Sequence, residues 1–91
     1  MSKKRERLEV IYDILSIIRD KNNSIKPTPL LRYSNLSTTS FKEYYTELIS
    51  KKLILEVEDK EGKKYISLSE KGFRYLEKYK LILGFIDEFD L

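Results

Sequence analysis

Ninety-one residues with 41% hydrophobic and 36% charged side chains suit one small core and are too few for several domains. The chain has no Cys and no His, which excludes thiol nucleophiles, disulfides, the usual zinc sites and the commonest general base at neutral pH. The net charge of +3 is uneven, residues 1–55 holding 11 Lys/Arg against 6 Asp/Glu and residues 56–91 holding 7 against 9, an asymmetry that fits a polyanionic partner.

In chain order, residues 4–21 carry Leu8, Ile11, Leu15 and Ile18 at helical spacing, with Val10, Ile14 and Ile17 widening the stripe. Together with Tyr12 these side chains span roughly 220° of the helix, wider than one core requires, so the second side needs its own cover. The polar run Asp20-Lys21-Asn22-Asn23-Ser24 ends this helix, and Ile25-Lys26 predicts a short strand. Thr28-Pro29 reads as an N-cap followed by proline in the first turn, giving a second helix over 28–34. Asn35 is suited to the left-handed stop and Ser37 to capping a third helix over 37–51, whose buried face is Phe41, Tyr44 or Tyr45, Leu48 and Ile49.

Within 53–68, Leu55 and Val57 alternate with Ile54, Glu56 and Glu58, and Ile66 and Leu68 alternate with Tyr65 and Ser67, which predicts two strands. Asp59-Lys60-Glu61-Gly62 between them has the chemistry of a hairpin turn. Ser69 caps a last helix over 69–86. The expected fold is α+β, mainly α, a single unit with the order helix, short strand, helix, helix, strand, strand, helix.

That order, with Arg32-Tyr33-Ser34-Asn35-Leu36-Ser37 and Leu68-Ser69-Glu70-Lys71-Gly72, resembles the archaeal winged helix-turn-helix DNA-binding proteins that dimerise through a C-terminal helix, related in architecture to PadR-type regulators. In them an Asn-Leu-Ser turn introduces the recognition helix, and a Leu-(Ser/Thr)-x-Lys-Gly segment joins the second wing strand to the last helix. The resemblance covers residues 4 to about 80. It implies that residues 37–51 form the recognition helix and residues 53–68 the wing. The last helix departs from the pattern: Gly84 lies within it and Asp87, Glu88 and Asp90 close it, which is short for an extended coiled coil.

On the third helix, Thr38, Thr39, Ser40, Lys42, Glu43, Thr46 and Ser50 face away from the core, offering short hydrogen-bonding groups for base edges and a cation for phosphate. Tyr44 and Tyr45 are adjacent and cannot both be buried, and Tyr45 is expected to be the exposed one. Lys60, Lys63 and Lys64 place cations on the wing, opposed by Glu58, Asp59 and Glu61, while Lys26 and Arg32 flank the second helix. Lys3, Lys4, Arg5 and Arg7 form a basic arm. Tyr75, Tyr79, Ile82, Ile86 and Phe89 follow an a/d spacing, and this seam with Val10, Ile14 and Ile17 of the first helix is expected to form a homodimer interface.

The sequence therefore predicts a double-stranded DNA-binding homodimer, a transcriptional regulator or nucleoid-associated protein, with partition of plasmid DNA as an alternative use of the same fold. A winged helix that binds another protein is the alternative of a different class. No catalytic residues, metal, cofactor or small-molecule substrate are indicated, because no phosphate-binding loop, metal-ligand spacing or nucleophile-base pair occurs. No apolar run approaches the roughly 20 residues that span a bilayer, and no secretory h-region opens the chain, so no membrane association and a cytoplasmic location are expected.

Overall fold

The structure, a computed structural model, describes residues 7–91: α1 (Arg7–Asp20), α2 (Pro27–Ser34), α3 (Thr38–Ser50), β1 (Ile54–Glu58), β2 (Lys64–Leu68) and α4 (Glu70–Glu88). Among the described residues, four helices and one two-stranded antiparallel sheet make up the expected mainly helical α+β fold. Lys3, Lys4 and Arg5 of the basic arm lie outside the described residues.

Local chemistry sets the boundaries. Asn22 and Asn23 take φ of 61° and 59° after α1, a region that asparagine tolerates better than most side chains. Asn23 also ties its loop to β2, its Oδ1 accepting from the Leu68 N–H at 2.6 Å and its carbonyl from Ser67 Oγ at 2.8 Å. Of the short strand expected at Ile25-Lys26, a single bridge between Ile25 and Ile66 forms. The start of α2 corrects the sequence reading: Lys26 is the N-cap, with no side-chain cap bond, and Pro27 rather than Pro29 opens the helix. Proline suits that position because its missing N–H would have no helical partner there.

Asn35 (φ 60°) closes α2, and Ser37 caps α3 by accepting the Ser40 N–H at 3.1 Å. The Leu68-Ser69-Glu70-Lys71-Gly72 segment clamps α4 onto the end of α3. Ser69 Oγ accepts from the Gly72 N–H at 3.1 Å and donates toward the Lys52 carbonyl at 2.6 Å, while Lys71 Nζ donates to the Lys51 carbonyl at 3.0 Å. Leu68 is buried, and a Cβ on Gly72 would stand 2.4 Å from the Leu53 carbonyl oxygen, so only glycine permits this approach.

Val10, Ile11, Ile14, Leu15 and Ile18 form the spine of the core and meet Leu30, Phe41, Leu48, Ile54, Ile66, Leu68 and Leu76 from the other elements. Burial of each such side chain contributes about 1.5–3 kcal/mol. Val10 and Ile14 were expected at a subunit interface, but they are 4% and 1% exposed inside this chain's own core. The reason is that α4 and β2 both pack on α1 and cover the side that the sequence left without a partner. Ile17 is half-buried against the same core.

Cross-strand pairs Ile54↔Leu68 and Glu56↔Ile66 put Ile54 and Glu56 on the core side of the sheet, because directly paired residues share a face. Leu55 and Val57 consequently face outward and are 45% and 46% exposed. At the tip, Asp59 Oδ1 accepts from the N–H groups of Glu61 and Lys63 at 2.9 and 2.8 Å, and Gly62 supplies the positive φ of 84°.

The two halves of α4 differ. Tyr75 and Tyr79, expected at the dimer seam, lie on α1 of the same chain: the Tyr75 hydroxyl donates to the Leu8 carbonyl at 2.7 Å, and the Tyr79 ring stands 5.0 Å from Tyr12. Burial foremost, with Tyr79 alongside and Arg7 opposing, pushes the Tyr75 pKa up to about 12. From Lys80 onward every residue is exposed, including Leu81, Ile82, Phe85, Ile86 and Phe89.

Candidate nucleic-acid interface

The three-residue turn Asn35-Leu36-Ser37 holds α3 across the end of α2, and α3 is anchored through Phe41 and Leu48, with Tyr44, Tyr45 and Ile49 packed at the margin. With that face fixed, the 100° helical repeat directs Thr39, Glu43, Thr46 and Ser50 away from the core, and all four are exposed. Thr38 and Lys42 lie beside this row and, with Tyr45, line a cleft of about 350 Å³ between α3, the start of α2 and the wing. Ser40 is half-buried and its N–H is engaged by the Ser37 cap, so it stands at the edge of the surface.

The basic candidates lie on α2 and on the β1–β2 hairpin. Lys26 is exposed at the start of α2, its Nζ 5.9 Å from the centre of the Tyr65 ring on β2. Arg32 is exposed in the last turn of α2. Lys60 is exposed at the wing tip, Lys63 stands 4.0 Å from Glu61 Oε1, and Lys64 stands 3.8 Å from Glu56 Oε1. Two of the three wing lysines thus have a carboxylate at ion-pair range. Such exposed pairs are worth little and separate readily when a stronger anion approaches.

Tyr45 differs from the expectation of an exposed side chain. It is half-buried, as is Tyr44, with its ring stacked on Phe41 at a centroid distance of 5.8 Å. Its hydroxyl donates to Glu56 Oε2, and burial foremost, then the adjacent carboxylate, hold the phenol well above its ordinary pKa. The sequence pattern placed Glu56 only in the alternation of the first strand; a strand phased on Ile54 instead of Leu55 turns it toward α3. A second missed partner is Glu47, which accepts from both Arg7 and Lys51 and so joins α1 to α3.

This architecture is that of a winged helix, and the winged helix-turn-helix family model matches residues 4–85. The chain belongs to the winged helix-turn-helix family. Two solved archaeal virus proteins share the winged-helix fold. F93 from STIV, a winged-helix DNA-binding protein, superposes with a TM-score of 0.73 at 22% identity, over 88% of this chain and 91% of that one. F-93 of SSV1 superposes with a TM-score of 0.69 at 24% identity, over 98% and 99%. No curated protein matches the sequence. In this order α3 is the third helix and β1–β2 the hairpin that follows it. Among the described residues no cluster of three acidic side chains could hold a metal ion, and no helix is long and apolar enough to cross a membrane.

Proposed function

We propose that this winged-helix protein binds double-stranded DNA as a homodimer, with α3 in the major groove and the wing along the neighbouring backbone, and that it acts as a regulator of transcription or a nucleoid-associated protein without catalytic activity. The observation that carries the reading is the outward row Thr39, Glu43, Thr46 and Ser50 with Lys42 beside it, short polar side chains on a helix whose other face is locked into the core. Such groups reach base edges, while Lys26, Arg32, Lys60, Lys63 and Lys64 supply phosphate contacts around them. That the similar F93 from STIV is described as DNA-binding supports the same use of the fold here.

The dimer rests on the distal turns of α4. Ile82, Ile86 and Phe89 of the expected seam, joined by Leu81 and Phe85, leave an apolar surface in water at the end of a molecule 50 Å long. Contiguous apolar surface of this kind is uncommon on a monomer and marks an interface. A two-fold pair would set its α3 helices about 34 Å apart, in successive major grooves, and the site would be an inverted repeat.

Selection of bound sequences from a random duplex pool, followed by footprinting, tests this. An enriched inverted repeat with half-sites one helical turn apart supports the regulator. Tight binding without enrichment moves the role to the nucleoid, and dimers spreading from one site support plasmid partition. Absence of any bound duplex overturns the reading in favour of a protein partner, to which the mixed charges of the wing are suited.

A further inference from the structure

The recognition helix and the wing are separate elements, and their relative setting decides whether both reach one duplex. A two-stranded ribbon is marginally stable by itself. From Val57 to Lys64 the hairpin is exposed, and the Asp59 hydrogen bonds that shape its tip are internal to it. The tie to α3 lies lower, at Glu56.

There the Tyr45 ring is held by its stack on Phe41, and the hydroxyl donates to Glu56 Oε2 in the middle of β1. The other oxygen, Oε1, faces Lys64 Nζ at 3.8 Å on the paired strand. One carboxylate therefore joins α3 to both strands of the wing. The bond is charge-assisted, and such bonds are stronger than neutral ones. Because its hydroxyl proton is committed to Glu56 and its ring to Phe41, Tyr45 has no free donor to offer a base.

We propose that the Tyr45–Glu56 hydrogen bond is a latch that sets the wing against α3, so that Lys60 and Lys63 meet the backbone of the same duplex that Thr39 and Lys42 enter. Tyr45 is then a positioning residue and does not read a base. The inference rests on the DNA-binding reading above, and it assigns a role to a pair that neither the sequence pattern nor the fold requires. Without the latch the wing would have to be ordered on binding, a cost that its exposed lysine–phosphate contacts do not repay, so it stays off the backbone although every phosphate-binding group is still present.

The test measures how much Lys63→Ala weakens duplex binding in four backgrounds: unaltered, Tyr45→Phe, Glu56→Ala and Glu56→Gln. Tyr45→Phe keeps the ring and the net charge and removes the donor. Glu56→Ala and Glu56→Gln are equal in charge, and only the second keeps an acceptor. The latch predicts that Lys63→Ala costs about fivefold in the unaltered and Glu56→Gln proteins and less than about twofold in Tyr45→Phe and Glu56→Ala. It also predicts that in Tyr45→Phe and Glu56→Ala the slope of log affinity against log salt is shallower by about 0.9 for each phosphate that the wing no longer neutralises. Equal costs of Lys63→Ala in all four backgrounds, with unchanged slopes, overturn the latch while leaving DNA binding intact. If Tyr45→Phe fails to fold, the charge-matched comparison of Glu56→Ala with Glu56→Gln decides alone. An unaltered protein that binds no duplex at the lowest salt overturns the DNA-binding reading, and the latch with it.

Discussion

The α3 face and the distal half of α4 are both exposed, yet they present opposite chemistry. The first offers hydroxyls and a lysine on a helix whose opposite face is packed into the core, with cations on neighbouring elements. The second offers Leu81, Ile82, Phe85, Ile86 and Phe89 with no cation beyond Lys80, and Phe85 and Phe89 are each 56% exposed. Polar groups on a rigid support recognise a hydrated, charged partner at little ordering cost, whereas exposed aromatic and aliphatic groups gain most by leaving water. Each surface should therefore be removable without disturbing the other.

The largest expected effect is on α4. Phe85→Asp with Ile86→Asp should weaken self-association by about 100-fold or more, because buried apolar anchors carry most of an interface's energy and a carboxylate there is left unpaired. Sedimentation velocity should give a monomer, with the circular dichroism of the fold unchanged because both positions are exposed. A protein that is monomeric before substitution would break the comparison at this end.

Gly72→Ala tests the scaffold that both surfaces share. Its Cβ would meet the Leu53 carbonyl at 2.4 Å, and crowding of this kind costs about 1–3 kcal/mol. Chemical denaturation should show that decrease, and α4 should shift from its setting against α3. Little change would mean that the close approach of α4 to the Leu53 carbonyl contributes little to holding the helix in place.

Lys42→Ala should lower duplex affinity about three- to tenfold and reduce the salt slope by about 0.9, the signature of one neutralised phosphate, while leaving self-association untouched. An effect on self-association would show that the two surfaces are not separable.

Much of this was legible in the sequence, and the failures have physical causes. Asn35, Ser37, Ser69 and Gly62 announced their turns and caps because each performs a local task that few other residues perform. The outward position of Thr39, Glu43 and Thr46 followed from helical period once Phe41 and Leu48 were placed inside. Val10, Ile14, Tyr75 and Tyr79 were assigned to a neighbouring subunit because periodicity gives the width of an apolar stripe and not the element that covers it; α4 of the same chain covers α1. Leu55 and Val57 drew attention away from Ile54, and a one-residue change of phase moves every strand side chain to the other face. That phase turned Glu56 toward Tyr45, a pairing across eleven residues that no local pattern records.

The smallest expected effect concerns the packed half of α4. The folded-state pKa of Tyr75, about 12, lies above its ordinary value of 10.0, so the folded chain holds this proton more tightly than the unfolded chain. The stabilisation is complete below about pH 10 and is lost as pH rises toward about 12. Thermal melts across that window should show falling stability, with a shallower fall in Tyr75→Phe.

The central claim, that the α3 face meets a duplex, is tested most directly by fluorescence anisotropy of a labelled double-stranded oligonucleotide titrated with the protein from about 50 to 200 mM salt. The account predicts saturable binding whose affinity falls steeply with salt, and falls less steeply for Lys42→Ala. Absence of binding at the lowest salt, or an affinity indifferent to salt and to Lys42, would contradict it.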